Sequence, residues 1–275
     1  MLAAGVLPAA SSVQDHCLKF AQRLGSVYTS DCRHKPFYFS GHQSVAGEPI
    51  LLRDFRPAEG HTPRGRVLVV GGIHGDELSS VSIVFGWMRE LEKQASQAYH
   101  WRLTPSMNPD GLFKADAQRT NDNGVDLNRN FPTPDWQRRS ETYWVEHTRR
   151  NPRRYPGPRP LSEPESRWLY EEIERFRPHA VVAVHAPYGI VDFDGPSRPP
   201  LRLGHLYLNL LGTYPGSLGN FAGVQRGIPV VTVELPSAGI MPTAEQQSRI
   251  WQDLQRWLEE HIPTPDQRAD TRLPG

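Results

Sequence analysis

Residues 67–77, with the sequence VLVVGGIHGDE, are the most informative stretch of this chain. The apolar run at 67–70 predicts a buried strand, and His74 and Glu77 follow it three residues apart. Open α/β sheets place their chemistry beyond the carboxyl ends of their strands. Because glycine adopts backbone conformations that other residues avoid, the glycines of this stretch permit a turn that brings the imidazole and the carboxylate to one metal ion. The pattern His-x-x-Glu is common by chance, so its interpretation depends on the rest of the chain.

Segments with strand character alternate with segments of helical periodicity. Further strands are predicted at about 37–40, 50–53, 101–107, 179–185 and 228–235, and helices at about 12–25, 77–95, 162–176 and 244–260. Capping boxes are expected at residues 162–165 and 243–246, and residues 111–160, which lack periodicity, are expected to form a long loop. The alternation predicts an α/β fold with a mixed, mostly parallel central sheet and helices on both faces.

Length and charge limit the classes of protein to which this chain can belong. Its 275 residues show no repeat or linker, so one domain over 1–275 is expected, with catalytic elements at about 66–236. The formal net charge of +1 gives no reason to expect nucleic acid or an anionic membrane as the main partner. No stretch approaches the roughly 20 apolar residues of a membrane span, and residues 1–12 lack the basic segment of a secretory signal. A cytoplasmic protein is therefore expected.

Two features of the composition leave alternatives open. Cys17 and Cys32 could form a disulfide or remain free thiols. A group of arginines among prolines is interpreted as a solvated loop rather than as a clamp for an anionic substrate; its members are Arg149, Arg150, Arg153, Arg154 and Arg159.

Three predicted buried strands each lead to a residue with metal-binding or acid–base chemistry: first His74 with Glu77, then His185, and then Glu234. Two imidazoles and a carboxylate, with a fourth position open, form the catalytic zinc sites of several peptidases. A metal held in this way polarises a carbonyl and lowers the pKa of its bound water to about 7. Glu234 is the candidate for the base that accepts a proton from that water.

The stretch RTNDNGVDLNRNFP at residues 119–132 supplies the candidates for substrate binding. A guanidinium group binds a carboxylate through two parallel hydrogen bonds, which a lysine cannot do. Arg129, with the amide of Asn128, is therefore the candidate that holds a free carboxylate of the substrate. Arg119 could lie nearer the metal and stabilise the oxyanion that forms during attack.

Taken together, these segments resemble the M14 family of zinc carboxypeptidases. The resemblance rests on HGDE at 74–77, NPDG at 108–111, Arg119 with GVDLNRN at 124–130, His185 at a strand end, and VEL at 233–235. It implies one zinc ion held by His74, Glu77 and His185. It also implies Arg119 polarising the scissile carbonyl, Asn128 and Arg129 gripping the C-terminal carboxylate, and Glu234 as the general base. The fold that it implies is a mixed eight-stranded sheet between helices.

Several details narrow the resemblance to family members that act on bacterial cell-wall peptides. They include the short chain, LSEPE at 161–165 and PGSLG at 215–219. Such enzymes cut the γ-D-glutamyl–meso-diaminopimelate bond of murein peptides during cytoplasmic recycling. The family's mobile tyrosine has no clean counterpart: Tyr214 is near the expected place but too close to the Gly-Ser pair, and Tyr188 competes with it. The segment 191–195, VDFDG, is either a polar turn or a reader of a substrate amine.

Two other functions remain as alternatives. Acylamino-acid amidohydrolases of the aspartoacylase or succinylglutamate desuccinylase kind resemble this chain at His-x-x-Glu and around residues 126–129. The NPDG segment and the longer match at 124–130 favour a peptidase. A catalytically inactive peptide-binding module would lack at least one of the candidate ligands, the base or the oxyanion group, and all of them are present in this sequence.

Overall fold

The computed structural model describes residues 12–134 and 136–262. The strands within them are β1 Phe37–Gln43, β2 Pro49–Phe55, β3 Arg66–Val70, β4 His100–Thr104, β5 Ala180–His185, β6 Ile190–Asp194, β7 Arg202–Leu203, β8 Leu206–Leu208 and β9 Val230–Glu234. The helices are α1 Val13–Arg23, α2 Leu78–Glu92, α3 Pro109–Phe113, α4 Trp136–Glu146, α5 Pro164–Phe176 and α6 Ala244–His261.

The strands form one sheet in the order β1-β2-β4-β3-β5-β9-β6-β8-β7. Its four central strands, β4, β3, β5 and β9, are parallel, whereas β1, β2 and β6 are joined to their neighbours toward the centre by antiparallel pairing. The predicted mixed sheet with a mostly parallel centre is confirmed. The described residues contain nine strands rather than the eight implied by the family resemblance, and β7 has only two residues.

Helices cover both faces of the sheet because its central strands are apolar on both sides. In β3, Val67 and Val69 pack into the core that also contains residues of α1, α2 and α6. Leu68 and Val70 point to the opposite face, where residues of α5 complete a second core. The uninterrupted apolar run of β3 therefore reflects burial on both faces.

One of the two expected capping boxes is wrong. Thr243 and Gln246 form theirs at the start of α6. At α5 the N-cap is Glu163, with no side-chain cap bond, and Ser162 Oγ donates to the carboxylate of Glu163 at 2.7 Å. The carboxylate of Glu165 accepts a hydrogen bond from the backbone of Val45 at 3.1 Å instead. Tertiary contacts have therefore overridden the local capping pattern.

Five elements have no counterpart in the predicted set, namely α3, α4, β6, β7 and β8, and the local signals of α4 and β6 are weak. Helix α4 lies within the segment expected to be a loop, and Trp136 and Ser140 are its buried residues. Strand β6 contains most of the VDFDG segment, so the polar-turn interpretation is wrong. Its two aspartates obscure the strand pattern in the sequence.

Cys17 and Cys32 form a disulfide, with their Cα atoms 5.5 Å apart, and this decides between the two alternatives left open for them. Within residues 12–134 and 136–262, no helix combines the length and the apolar character that crossing a membrane requires. The expectation that the N-terminus lacks a secretory signal concerns residues 1–11, which lie outside the described residues.

A close approach of two backbones sets the position of the His74 loop. A Cβ atom on Gly75 would lie 2.3 Å from the carbonyl carbon of Gly111, and one on Gly111 would lie 2.4 Å from the carbonyl oxygen of Gln118. The HGDE and NPDG segments therefore touch where only glycine fits. Gly72, with φ at +54°, supplies the left-handed residue of the turn after β3.

We expect Gly75→Ala to lower the free energy of unfolding by about 1–3 kcal/mol, because the added methyl group forces the two segments apart. Its zinc affinity should fall as well, since the displaced loop carries His74. Gly25→Ala is the matched control, because no atom lies within 4 Å of a Cβ placed there. Denaturant unfolding and zinc titration measure both effects, and equal values for the two variants would contradict this account.

Candidate metal centre and active site

The side chains of His74, Glu77 and His185 converge at the carboxyl edge of the central strands. Nδ1 of His74 lies 2.8 Å from Oε1 of Glu77, and Nδ1 of His185 lies 3.0 Å from its Oε2. All three residues are buried, and one ligand atom from each lies within 4.8 Å of the others. Two imidazoles and a carboxylate are a donor set that suits zinc. Among the described residues, this is the group that could hold a metal ion.

Asp126 and Arg119 support this cluster. Nε2 of His74 lies 3.1 Å from Oδ1 of Asp126, which is 0% exposed, so Nδ1 is the nitrogen left for a metal. Arg119 donates to Asp126 at 3.1 Å and to Glu77 at 3.4 Å. These contacts use only part of its five N–H donors. The sequence assigned no role to Asp126, and its only signal was its place in the GVDLNRN segment.

Burial and charge oppose each other in the cluster. Burial raises the pKa of Glu77, but the imidazoles of His74 and His185 outweigh it and hold that pKa below its ordinary value. Burial also raises the pKa of Asp126, and Arg119 and His74 outweigh it by a wide margin. For His185, burial lowers the pKa, whereas the Glu77 carboxylate raises it, with a net rise. Both carboxylates are therefore ionised, as a metal ligand and its support must be.

Glu234 ends β9 directly beside His185, its partner in the parallel register. The side chain is buried, and its Oε2 has no hydrogen-bond partner within the described part of the chain. Burial raises the pKa of Glu234; His185 opposes this rise, and Glu77 adds to it. A buried carboxylate with an unpaired oxygen and a raised affinity for protons is suited to general acid–base chemistry.

Arg129 is a buried cation that lines the site. It is 5% exposed, its Nη1 donates to the carbonyl oxygen of Asn128 at 2.7 Å, and it forms no ion pair with an acid in residues 12–134 or 136–262. Burial lowers the pKa of Arg129. Oδ1 of Asn128 accepts the backbone N–H of Leu218 at 2.8 Å, which leaves its NH₂ group for another partner. The pair can therefore bind a carboxylate that enters from outside.

Tyr214 packs on this arginine. The centroid of its ring lies 4.5 Å from Cζ of Arg129, and its hydroxyl donates to the carbonyl oxygen of Leu211 at 3.3 Å. Tyr188, the competing tyrosine, lines the same cavity and is 57% exposed. Both tyrosines therefore lie at the site, and the contact with Arg129 distinguishes Tyr214.

One cavity of about 660 Å³ is lined by all of these residues except Asp126, which lies behind His74. Arg153 and Arg154 also line it, and the side chain of Arg153 is 58% exposed, so the interpretation of the basic cluster as a solvated loop stays a prediction. Arg153 forms an ion pair with Asp76 at 2.7 Å, which attaches this segment to the HGDE loop. The wall includes Asp192 and Asp194 of the VDFDG segment, together with residues that the sequence did not mark as site residues: Tyr143, His147 and Thr232.

Comparison with known proteins agrees with this geometry. A model of the zinc carboxypeptidase family matches residues 32–191 of this chain. Murein peptide amidase A of Vibrio campbellii is 34% identical over 211 residues, which cover 74% of this chain and 81% of that relative. Murein peptide amidase A of Escherichia coli K12 is 30% identical over 222 residues, which cover 78% of this chain and 88% of that relative.

The crystal structure of a murein-tripeptide amidase from Escherichia coli O157 has the same fold, with a TM-score of 0.62 and 25% identity. The similarity covers 83% of this chain and 94% of that chain. The family match extends over more than half of the sequence and includes the residues that form the candidate metal centre. The chain therefore belongs to the zinc carboxypeptidase (M14) family and is a peptide hydrolase.

Proposed function

We propose that this chain is a zinc-dependent carboxypeptidase or amidase that hydrolyses the γ-D-glutamyl–meso-diaminopimelate bond of murein peptides in cell-wall recycling. The names of the two similar murein peptide amidases support the substrate class. One observation carries the reaction type. A single cavity holds the His74–Glu77–His185 cluster together with Arg129, a buried cation that has no acid partner among the described residues.

His74, Glu77 and His185 would hold one zinc ion per chain. When bound, zinc supplies a Lewis acid that polarises a carbonyl and makes a water molecule acidic near neutral pH. Asp126 and Arg119 keep His74 and Glu77 oriented and ionised for this role.

Glu234 would move the protons of the reaction. Its unpaired Oε2 accepts a proton from the attacking water, and its raised pKa lets it retain that proton until the leaving amine takes it. The peptide C–N bond breaks, the water oxygen forms the new carboxylate, and the amine leaves protonated. The free N–H groups of Arg119 are available to the carbonyl oxygen as negative charge develops on it.

Arg129 and Asn128 would bind the free carboxylate of the leaving residue, which restricts cleavage to the last bond of a peptide. The ring of Tyr214 packs on the guanidinium group of Arg129 and would help to hold it in place. An inactive binding module is disfavoured, because the ligand cluster, the base and the carboxylate site share one cavity.

The expectations about the number of domains, the location and the binding partner stay proposals. One domain is supported by a single sheet that runs from residue 37 to residue 234. A cytoplasmic location stays a proposal, and the Cys17–Cys32 disulfide argues for an oxidising compartment instead. A small peptide with a free carboxylate is the proposed partner.

The direct test is an assay of zinc-loaded protein on L-alanyl-γ-D-glutamyl-meso-diaminopimelate, with free diaminopimelate as the readout. We expect release that a chelator abolishes and added zinc restores. N-acetylaspartate and N-succinylglutamate are the comparison substrates. A preference for either of them would replace this proposal with an acylamino-acid amidohydrolase.

Glu234→Gln should reduce kcat by about 100- to 10,000-fold, because the amide cannot accept the proton of water. Its zinc content should remain that of the wild type, since Glu234 is outside the ligand cluster. His185→Ala is the contrasting variant and should lose zinc and activity together. Metal analysis beside steady-state kinetics measures both, and wild-type kcat in Glu234→Gln would remove Glu234 from the mechanism.

Arg129→Lys should raise KM by about 10- to 100-fold, because one of two charge-assisted hydrogen bonds to the carboxylate is lost. Arg150→Lys is the matched control, since Arg150 is exposed and outside the cavity lining. The thermal stability of both variants should equal that of the wild type. An unchanged KM in Arg129→Lys would place the carboxylate elsewhere.

A further inference from the structure

Helix α4 lies along one wall of the active-site cavity, although the sequence predicted a loop there. Its buried residues, Trp136 and Ser140, are four positions apart, and Tyr143 and His147, which line the cavity, continue the same spacing. Residues three, four and seven positions apart share one face of a helix. One face of α4 is therefore turned toward the site.

The start of α4 is attached to the backbone of Arg129. Nε1 of Trp136 donates to the carbonyl oxygen of Arg129 at 2.8 Å. A Cβ atom on Gly216 would lie 1.9 Å from the same carbonyl oxygen and 2.7 Å from Nε1 of Trp136. The three residues therefore meet with no room for a further atom. This contact fixes the start of the helix relative to Arg129 and to the segment that follows Tyr214.

Further along the helix, Tyr143 packs against the ring of Tyr214. The two ring centroids are 5.7 Å apart and the rings are inclined by 66°, which is an edge-to-face arrangement. The ring of His147 stacks on Tyr143, with the two centroids 4.8 Å apart. Tyr214 in turn packs on the guanidinium group of Arg129. These contacts form a row of rings that begins at His147 and ends on Arg129.

The backbone of Tyr214 is better fixed than its ring. Its carbonyl oxygen accepts hydrogen bonds from Oγ of Ser217 at 3.1 Å and from Nδ2 of Asn220 at 3.2 Å. The hydroxyl group makes only the long bond to the carbonyl oxygen of Leu211. Within the described residues, Tyr143 is the aromatic side chain that contacts this ring. The orientation of the Tyr214 ring therefore depends on Tyr143.

The guanidinium group of Arg129 has few contacts of its own that orient it. Its Nε is buried with no hydrogen-bond partner in the described part of the chain, and its Nη1 donates to the carbonyl oxygen of Asn128. The two parallel hydrogen bonds of an arginine–carboxylate pair require the planar guanidinium group to face the carboxylate. An aromatic ring packed on the guanidinium group restricts its plane.

We infer that Tyr143 is a positioning residue for recognition of the substrate's free carboxylate. It holds the ring of Tyr214 on Arg129 and so fixes the plane of the guanidinium group. This inference rests on the proposed function, because it takes Arg129 as the holder of that carboxylate. The contact is made by the ring of Tyr143, so a phenylalanine at this position keeps it.

Tyr143→Ala should raise KM for L-alanyl-γ-D-glutamyl-meso-diaminopimelate by about 3- to 10-fold, the effect of losing one aromatic contact. The change in kcat should be much smaller, because the candidate metal ligands and the base are untouched. Tyr143→Phe should keep the wild-type KM. Tyr207→Ala is the matched control, since Tyr207 is 64% exposed and outside the cavity.

Two results of these kinetics would overturn the inference. A wild-type KM in Tyr143→Ala would show that the ring has no part in binding. A KM raised equally in Tyr143→Phe would assign the effect to the hydroxyl group, which would then bind the substrate directly.

A double-mutant cycle distinguishes positioning from a general loss of packing. If Tyr143 acts through Tyr214, then Tyr143→Ala should raise KM little further in a protein that already carries Tyr214→Ala. Two independent effects would instead multiply the two increases in KM. Multiplied increases would contradict the inference.

A measurement without substrate separates this inference from the proposed function. The guanidinium group of Arg129 lies against the ring of Tyr214, so the ring shifts the NMR resonance of its Nε–H group, which Arg129→Lys identifies by removing it. In zinc-loaded protein, Tyr143→Ala should move this resonance toward its position in Tyr214→Ala, and Tyr143→Phe should leave it in place. If the peptide is not cleaved, the proposed function fails, and the resonance still decides whether Tyr143 orients the ring. An unchanged resonance in Tyr143→Ala would overturn the inference.

Discussion

The parallel pairing of β3, β5 and β9 is the constraint on which the active site depends. Parallel strands end at the same edge, so a residue at each carboxyl end is brought to one place regardless of its distance along the chain. His185 and Glu234 are neighbours across β5 and β9 for this reason, although they lie 49 positions apart in the chain. The turn after β3 adds His74 and Glu77, and its position depends on the glycine-only contact with the NPDG segment.

Charges in the cavity fall into two groups, those paired with one another and those that form no ion pair within the described residues. Glu77, Asp126 and Arg119 neutralise one another and the histidines, which keeps the metal ligands ionised and oriented. Arg129 and the acids of β6 have no such partners within the described residues. Because an unpaired buried charge is costly, the fold retains these groups at the expense of stability, and a ligand that carries the opposite charge would recover it.

Some residues that look catalytic in the sequence instead support the positions of other residues in the fold. NPDG contributes no side chain to the candidate metal cluster, and its glycine allows the HGDE loop to pass closely. Asp126 lies between the candidate binding residues Arg119 and Asn128 in the sequence. Its carboxylate contacts Nε2 of His74, on the side of the imidazole ring away from Glu77. Function in this site depends on these supports as much as on the groups that would touch a substrate.

The sequence by itself determined the fold class, the central apolar strands and the candidates for the metal site and the base. Each of these features follows from a local pattern of residue types. It could not determine α4 or β6, whose patterns are weak, or the capping of α5, where contacts with distant residues prevailed. Only the tertiary structure paired Cys17 with Cys32, placed two arginines at the cavity and left Asp192 and Asp194 without an ion pair among the described residues. Whether a charged side chain is solvated, paired or unpaired depends on which distant residues fold against it, and a single sequence does not record those contacts.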